Sequence, residues 1–240
     1  MMVAPESRAW ERYLWLGGAL FVVALVAETI VEVGVHLSLN DSEGKIAAGL
    51  QDHHRRLILV ACLSILYAPA FVIYLSRLHD LLREHTTHSR FLVSWVLVGG
   101  VVWVTLHSVS DIGITGLVGA KIAVAAYSAS HDHSGPYNLY LLTFALDSVG
   151  DVFGSLFALA TGLLLLRTHL LPRWLAWTAI LAGPFLFTQA FGLGGVIGSF
   201  GLVLDLIGFL LLLIFVFVSS LTLFARSNPP RGTAPALEAP

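Results

Sequence analysis

Six apolar stretches, each of roughly twenty residues or more, constrain this chain more than any other feature, because a bilayer core about 30 Å thick needs about 20 such residues as helix. They lie near 13–37, 57–78, 91–112, 138–166, 173–192 and 199–224. Each run is continuous rather than alternating, and only helices or closed barrels satisfy the backbone in lipid, so each reads as a helix. The first is too long for a signal-peptide core, and no small-residue cleavage site follows it, so it reads as a retained span. The expected fold class is all-α: a polytopic membrane bundle of six transmembrane helices. One domain covers 1–225, and a Pro/Ala-rich tail over 226–240 is expected to be disordered and cytoplasmic.

Composition agrees. Hydrophobic residues make up 57% and charged residues 12% of the chain. That charge content is about half the soluble norm, which excludes a soluble enzyme, a disordered chain and a nucleic-acid binder. A net charge of −2 gives no reason to expect a polyanionic partner. Cys62 is the single cysteine, so an intrachain disulfide framework and a CxxC metal site are both excluded. No metal or cofactor is assigned.

Basic residues set the expected orientation. With the N-terminus inside, the cytoplasmic segments hold Arg8, Arg12, Arg77, Arg83, Arg90, Arg167, Arg173, Arg226 and Arg231. The outer side holds Lys45, Arg55, Arg56 and Lys121. Both termini are therefore placed in the cytoplasm of a multi-pass protein of the cell membrane. Residues 38–56 form a polar outer loop with a surface helix from Glu43 to Gln51. In the loop 79–90, Asp80 and Glu84 at i, i+4 suggest that the second span runs out of the membrane as helix. Residues 113–137 are the least regular: Gly116 is expected to break the third span, and 117–128 to form a half-helix. No internal repeat is visible, which disfavours an inverted-repeat transporter.

From Asp151 to Gly183 the chain reads DVFGSLFALATGLLLLRTHLLPRWLAWTAILAG. A span ending in Arg-Thr, then Leu171-Pro172-Arg173-Trp174-Leu175, then a second apolar span, is similar to a large group of bacterial six-helix membrane proteins that share a domain of unknown function. The resemblance implies a six-helix fold and no activity. The element also has a structural reading: Pro172 starts a helix, Arg173 follows the positive-inside rule, and Trp174 and Trp177 sit at the interface.

Six acids fall within apolar runs: Glu28, Glu32, Asp111, Asp147, Asp151 and Asp205; His107 joins them. Each costs a few kcal/mol or more in hydrocarbon, so each is expected to face the protein interior. At 1.5 Å per residue, Glu28 and Glu32 lie roughly 24 and 30 Å outward from Arg12, and His107 and Asp111 roughly 26 and 32 Å outward from Arg90. Asp205 and Asp147 lie about 9 and 15 Å below the outer face. The acids thus share the outer half of the bundle. Glu28/Glu32, His107/Asp111 and Asp147/Asp151 are i, i+4 pairs that share a helix face. Lys121 and His107 cannot neutralise six acids, so several are expected to carry a proton at neutral pH. Intramembrane carboxyls also serve as hydrogen-bonding glue between helices, but glue does not require six in one half-bundle.

Other signals are weaker. His53, His54, His131 and His133, with Asp52 and Asp132, lie on the outer side without metal-motif spacing and read as solvated loop residues. His79, His85 and His88 are on the opposite side. Ser108 and Ser110 flank the acids but lack a GxSxG elbow. Lys121 is not mid-span. Gly192, Gly194, Gly195, Gly198 and Gly201 suit close helix approach or a turn.

Three functions compete. The leading one is an intramembrane enzyme acting on an apolar lipid or isoprenoid by carboxylic-acid protonation, leading to cyclisation or isomerisation. Asp111 or Glu28 acts as the acid, Asp147 and Asp205 as partners, and His107 tunes one of them. Glu32, Asp151, Trp103, Tyr140 and Phe144 are candidates for the substrate side, where aromatic faces suit a cationic intermediate. Small polytopic terpene cyclases resemble this arrangement in style, with acids in a bundle and no metal. The second is a proton- or cation-coupled transporter using the same acids, for which a homodimer is compatible with six spans. The third is a non-catalytic accessory protein.

Overall fold

The computed structural model describes residues 10–33, 35, 41–86, 89–118, 134–192 and 198–227. Among them there are helices and no strand: a 3-10 turn (Glu11–Trp15), α1 (Leu16–Glu32), α2 (Glu43–Asp52), α3 (His54–Glu84), α4 (Arg90–Val118), α5 (Ser134–Thr168), α6 (Arg173–Gly192) and α7 (Gly198–Arg226). Five segments are long and apolar enough to cross a membrane: Glu11–Glu32, His54–Glu84, Arg90–Gly113, Ser134–Thr168 and Val203–Arg226. The remaining expected span forms as α6 over the residues read from the sequence. Its 20 residues reach about 30 Å.

Three boundaries differ from expectation. The first span ends at Glu32 rather than near residue 37. Only His53 separates α2 from α3, so Arg55 and Arg56 belong to the first turn of α3 rather than to a loop. Gly116 does not break α4, which continues to Val118. One internal glycine costs a helix about 1 kcal/mol, less than an apolar run in lipid gains from keeping its backbone paired. The half-helix expected over 117–128, with Lys121 and Tyr127, lies mostly or wholly outside the described residues. So do His131, Asp132, His133, Gly194, Gly195 and the tail from 228 onward.

The six long helices form a closed ring. Each packs on its neighbour in the chain, and α1 meets α7 to close it. A glycine stands at every seam. A Cβ on Gly17 would sit 2.6 Å from the Ala70 carbonyl oxygen, between α1 and α3. One on Gly100 would meet Leu75 at 2.7 Å, between α3 and α4, and one on Gly99 would meet the Phe153 oxygen at 2.9 Å, between α4 and α5. Gly162 meets Ala176 at 2.7 Å, Gly208 meets Leu186 at 2.6 Å, and Gly18 meets Ser220 at 3.0 Å. Lipid offers helices no hydrophobic drive to associate, so close backbone approach supplies the packing energy. Leu20, Val23 and Ile30 on α1, and Val203, Leu210 and Ile214 on α7, are left exposed on the outside of the ring.

The two ends differ. At one, the Arg77 guanidinium pairs with Glu11 at 3.3 Å, and the Arg167 Nη1 donates to Ser89 Oγ at 2.9 Å. The Arg226 guanidinium donates to the Leu170 carbonyl. This basic end carries the turn resembling the known pattern. His169 takes a left-handed φ of 53°. Pro172 then precedes α6, its carbonyl receiving the Leu175 N–H at 3.0 Å. At the acidic end, Ile46 and Leu50 of α2 and Leu57 of α3 bury together against Tyr137, Leu139 and Tyr140 of α5. Between the ends the ring is plugged by rings. Phe71 lies 4.7 Å from Phe21, 5.2 Å from Trp103 and 5.6 Å from Phe157, joining four helices.

Gly99→Val should lower the thermal stability of the protein in detergent by about 1–3 kcal/mol through overpacking at the α4–α5 seam. Gly113→Ala, with nothing within 4 Å of its Cβ, should be near neutral. Equal effects in thermal unfolding would contradict the seam assignment.

Candidate functional site

The polar cluster is built from four helices, α1, α4, α5 and α7, that each contribute acids, completed by hydroxyls of α3. On α1, Glu28 is 3% exposed. Opposite it on α3, Ser64 Oγ lies 2.7 Å from Glu28 Oε1, 3.0 Å from Asp111 Oδ2 on α4, and 3.0 Å from the Val60 carbonyl oxygen. The Tyr67 hydroxyl donates to the same Asp111 oxygen at 2.6 Å. Ser64 thus stands between the two carboxyls. A serine hydroxyl supplies one hydrogen, and ionised carboxylates only accept. Its hydrogen therefore serves one of the two carboxyls, and the other bonds to Oγ only when it is itself protonated.

The second half of the cluster joins α4 to α5 and α7. The His107 Nδ1 lies 3.0 Å from the Trp103 carbonyl, which can only accept, so Nδ1 carries a hydrogen. Its Nε2 lies 3.3 Å from Asp151 Oδ1. The Trp103 indole N–H donates to that oxygen at 3.4 Å. Asp151 is 4% exposed. One turn away, the Ser110 hydroxyl lies 3.0 Å from Asp147 Oδ2 and 3.3 Å from the Thr143 carbonyl. Asp205 of α7 is within electrostatic reach of Asp151, His107 and Asp147. One buried oxygen on each of Asp147 and Asp205 has no hydrogen-bond partner among the described residues.

Local sequence explains the seating. A Cβ on Gly150 would lie 2.6 Å from His107 Nδ1, and one on Gly154 would lie 2.8 Å from the Trp103 indole. These two glycines, one turn apart on α5, form the recess that accepts both rings. Between the two halves of the cluster lies a cavity of about 10 Å³, lined by Phe21, Leu25, Tyr67, Trp103, Val104, His107 and Phe209. That is room for a single water.

Of the residues read from the sequence, Glu28, His107, Asp111, Asp147, Asp151, Asp205 and Trp103 come together. Glu32, the last residue of α1, is exposed, and it lies within electrostatic reach of Asp111 and Glu28. Tyr140 packs under α2 and lies within electrostatic reach of Glu32. Phe144 is half-buried and makes no ring contact among the described residues. No group of three His, Cys, Asp or Glu side chains among the described residues is arranged to hold a metal ion. Ser64, Tyr67, Gly150 and Gly154 were not singled out by the sequence reading. The signal was there for the first two: hydroxyls at i, i+3 on one face of an otherwise apolar span.

Taken together, the ring and its acidic interior define an all-helical integral membrane protein. The family model described as "Domain of unknown function (DUF4386)" matches residues 16–224, and the chain belongs to that family. No curated protein and no solved structure matches it.

Tyr67→Phe and Ser64→Ala should each lower stability by roughly 1–3 kcal/mol, because each removes one of the two hydroxyls that meet the part-buried Asp111 Oδ2. Gly150→Val should displace the imidazole and shift the His107 ring resonances in NMR spectra of the labelled protein, whereas Gly113→Ala should leave them in place. Unchanged resonances in Gly150→Val would refute the recess.

Proposed function

We propose that this protein is an enzyme of the cell membrane that transfers a proton from the Glu28–Asp111 pair to an apolar substrate of the lipid or isoprenoid class. The observation that supports it most is the Ser64 hydroxyl shared by those two carboxyls, with Tyr67, which donates to Asp111, lining a cavity walled by aromatic rings. Asp111 accepts from Tyr67, which suits it to bear the charge and leaves Glu28 as the acid. In the proposed step, the Glu28 proton adds to one carbon of a double bond and the other carbon becomes cationic. Phe21, Trp103 and Phe209 face that charge. A carboxylate, Asp147 or Asp205, then removes a proton from a neighbouring carbon, so the product is an isomer of the substrate and no oxidant is needed. The aromatic plug closes the way to the basic end, and catalysis needs access from one side only. The arginines of the basic end face the cytoplasm in this reading.

One observation favours coupled transport instead. Ligand pockets commonly span roughly 300–1,000 Å³, and the ring-lined cavity is about 10 Å³. An isoprenoid must part the helices to enter, whereas a proton or a small cation need not.

Untargeted lipid and metabolite profiling of isoprenoid-rich cells separates the readings. Cells expressing the wild type should contain an apolar compound isomeric with a precursor, and cells expressing a folded Asp111→Asn should lack it. If no such compound forms, and purified wild type in liposomes acidifies the lumen under an inside-negative potential while Asp111→Asn does not, the enzyme reading fails and transport replaces it.

A further inference from the structure

A second polar cavity lies at the basic end, remote from the carboxyl cluster. It occupies about 510 Å³ between the last turns of α3 and the start of α4, and is lined by His79, Arg83, Thr86, Arg90, Val93 and Ser94. Its chemistry is the reverse of the acidic cluster. Two guanidiniums face it from different helices, and neither Arg83 nor Arg90 has a side-chain hydrogen bond or ion pair among the described residues. The Thr86 hydroxyl oxygen is buried and likewise has no partner there. His79 is held to Asp80 through Nδ1 at 3.3 Å, with the Asp80 carboxylate largely exposed. Val93 is buried and supplies an apolar wall. The first turn of α4 adds backbone N–H groups and the positive end of its dipole.

Arginines on two helices, a buried hydroxyl and a helix N-terminus are all donors, and neither guanidinium nor the Thr86 hydroxyl has a side-chain partner among the described residues. From this convergence we propose that the cavity is a binding site for a phosphate-bearing anion. The planar guanidiniums suit bidentate contact with phosphate oxygens, and Thr86 adds a hydroxyl donor. The anion is either a free phosphate species or the headgroup of an anionic phospholipid. Basic pockets between helices at a membrane surface suit the latter. The site does not depend on the proposed enzyme reaction.

The test uses the full-length protein purified in a zwitterionic detergent, with inorganic phosphate and phosphatidylglycerol as separate probes and chloride at matched ionic strength as the control. Thermal stability and bound lipid by native mass spectrometry are read in the wild type and in Arg83→Gln/Arg90→Gln, whose exposed side chains are not needed for packing. The expected result is a stabilising shift with at least one probe, and an affinity about tenfold or more weaker in the double variant. Thr86→Val should give a smaller loss. A response to both probes assigns the site to phosphate in general; a response to phosphatidylglycerol alone assigns it to a lipid headgroup. No shift with either probe, or an equal shift in the double variant or with chloride, overturns the proposal.

Discussion

A buried carboxyl in hydrocarbon has to find its hydrogen-bond partners within the protein, and the inner half of this architecture depends on that requirement. Glu28 and Asp111 belong to helices that flank α3 from either side, and Ser64 and Tyr67 of α3 meet them both. Asp151 binds α5 to α4 through His107 and Trp103. These bonds orient the polar faces of α1, α3, α4 and α5 toward one interior, and α7 adds Asp205 to the same place. Glycines at the seams let the backbones come close enough for such short side chains to reach one another.

The ring is also polarised along its axis. The carboxyl cluster lies toward one end, the Arg77, Arg167 and Arg226 contacts lie at the other, and a stack of Phe21, Phe71, Trp103 and Phe157 stands between them. The aromatic layer also walls the small cavity, through Phe21 and Trp103. Acid, ring-lined space and one-sided access are what proton transfer to an apolar molecule would use, and they motivate the catalytic proposal. The size of the cavity is the point on which transport competes with it.

Much of this was legible in the sequence, for physical reasons. Apolar length marked the helices, because lipid leaves few alternatives. The acids pointed inward by their cost in hydrocarbon, and i, i+4 spacing put Asp147 with Asp151 and His107 with Asp111. Spacing along single helices could not show which helices meet. Ser64 and Tyr67 escaped notice because hydroxyls are cheap enough in a span to carry little signal alone. Gly150 and Gly154 matter only through the rings opposite them. Depth counted from Arg12 did not reveal that α1 ends at Glu32, which leaves that side chain exposed. Gly116 was overread as a breaker, since turn propensities learned from water weaken where the backbone has no solvent to turn to.

The central claim is that the interior carboxyl pair holds a proton at neutral pH. Infrared difference spectroscopy of the purified protein in lipid tests it directly, by the carbonyl stretch of a protonated carboxyl and its shift on transfer to heavy water. The account predicts that band in the wild type near neutral pH, and its loss or displacement in both Glu28→Gln and Asp111→Asn. A wild type without the band, or a band that neither substitution alters, would contradict the account.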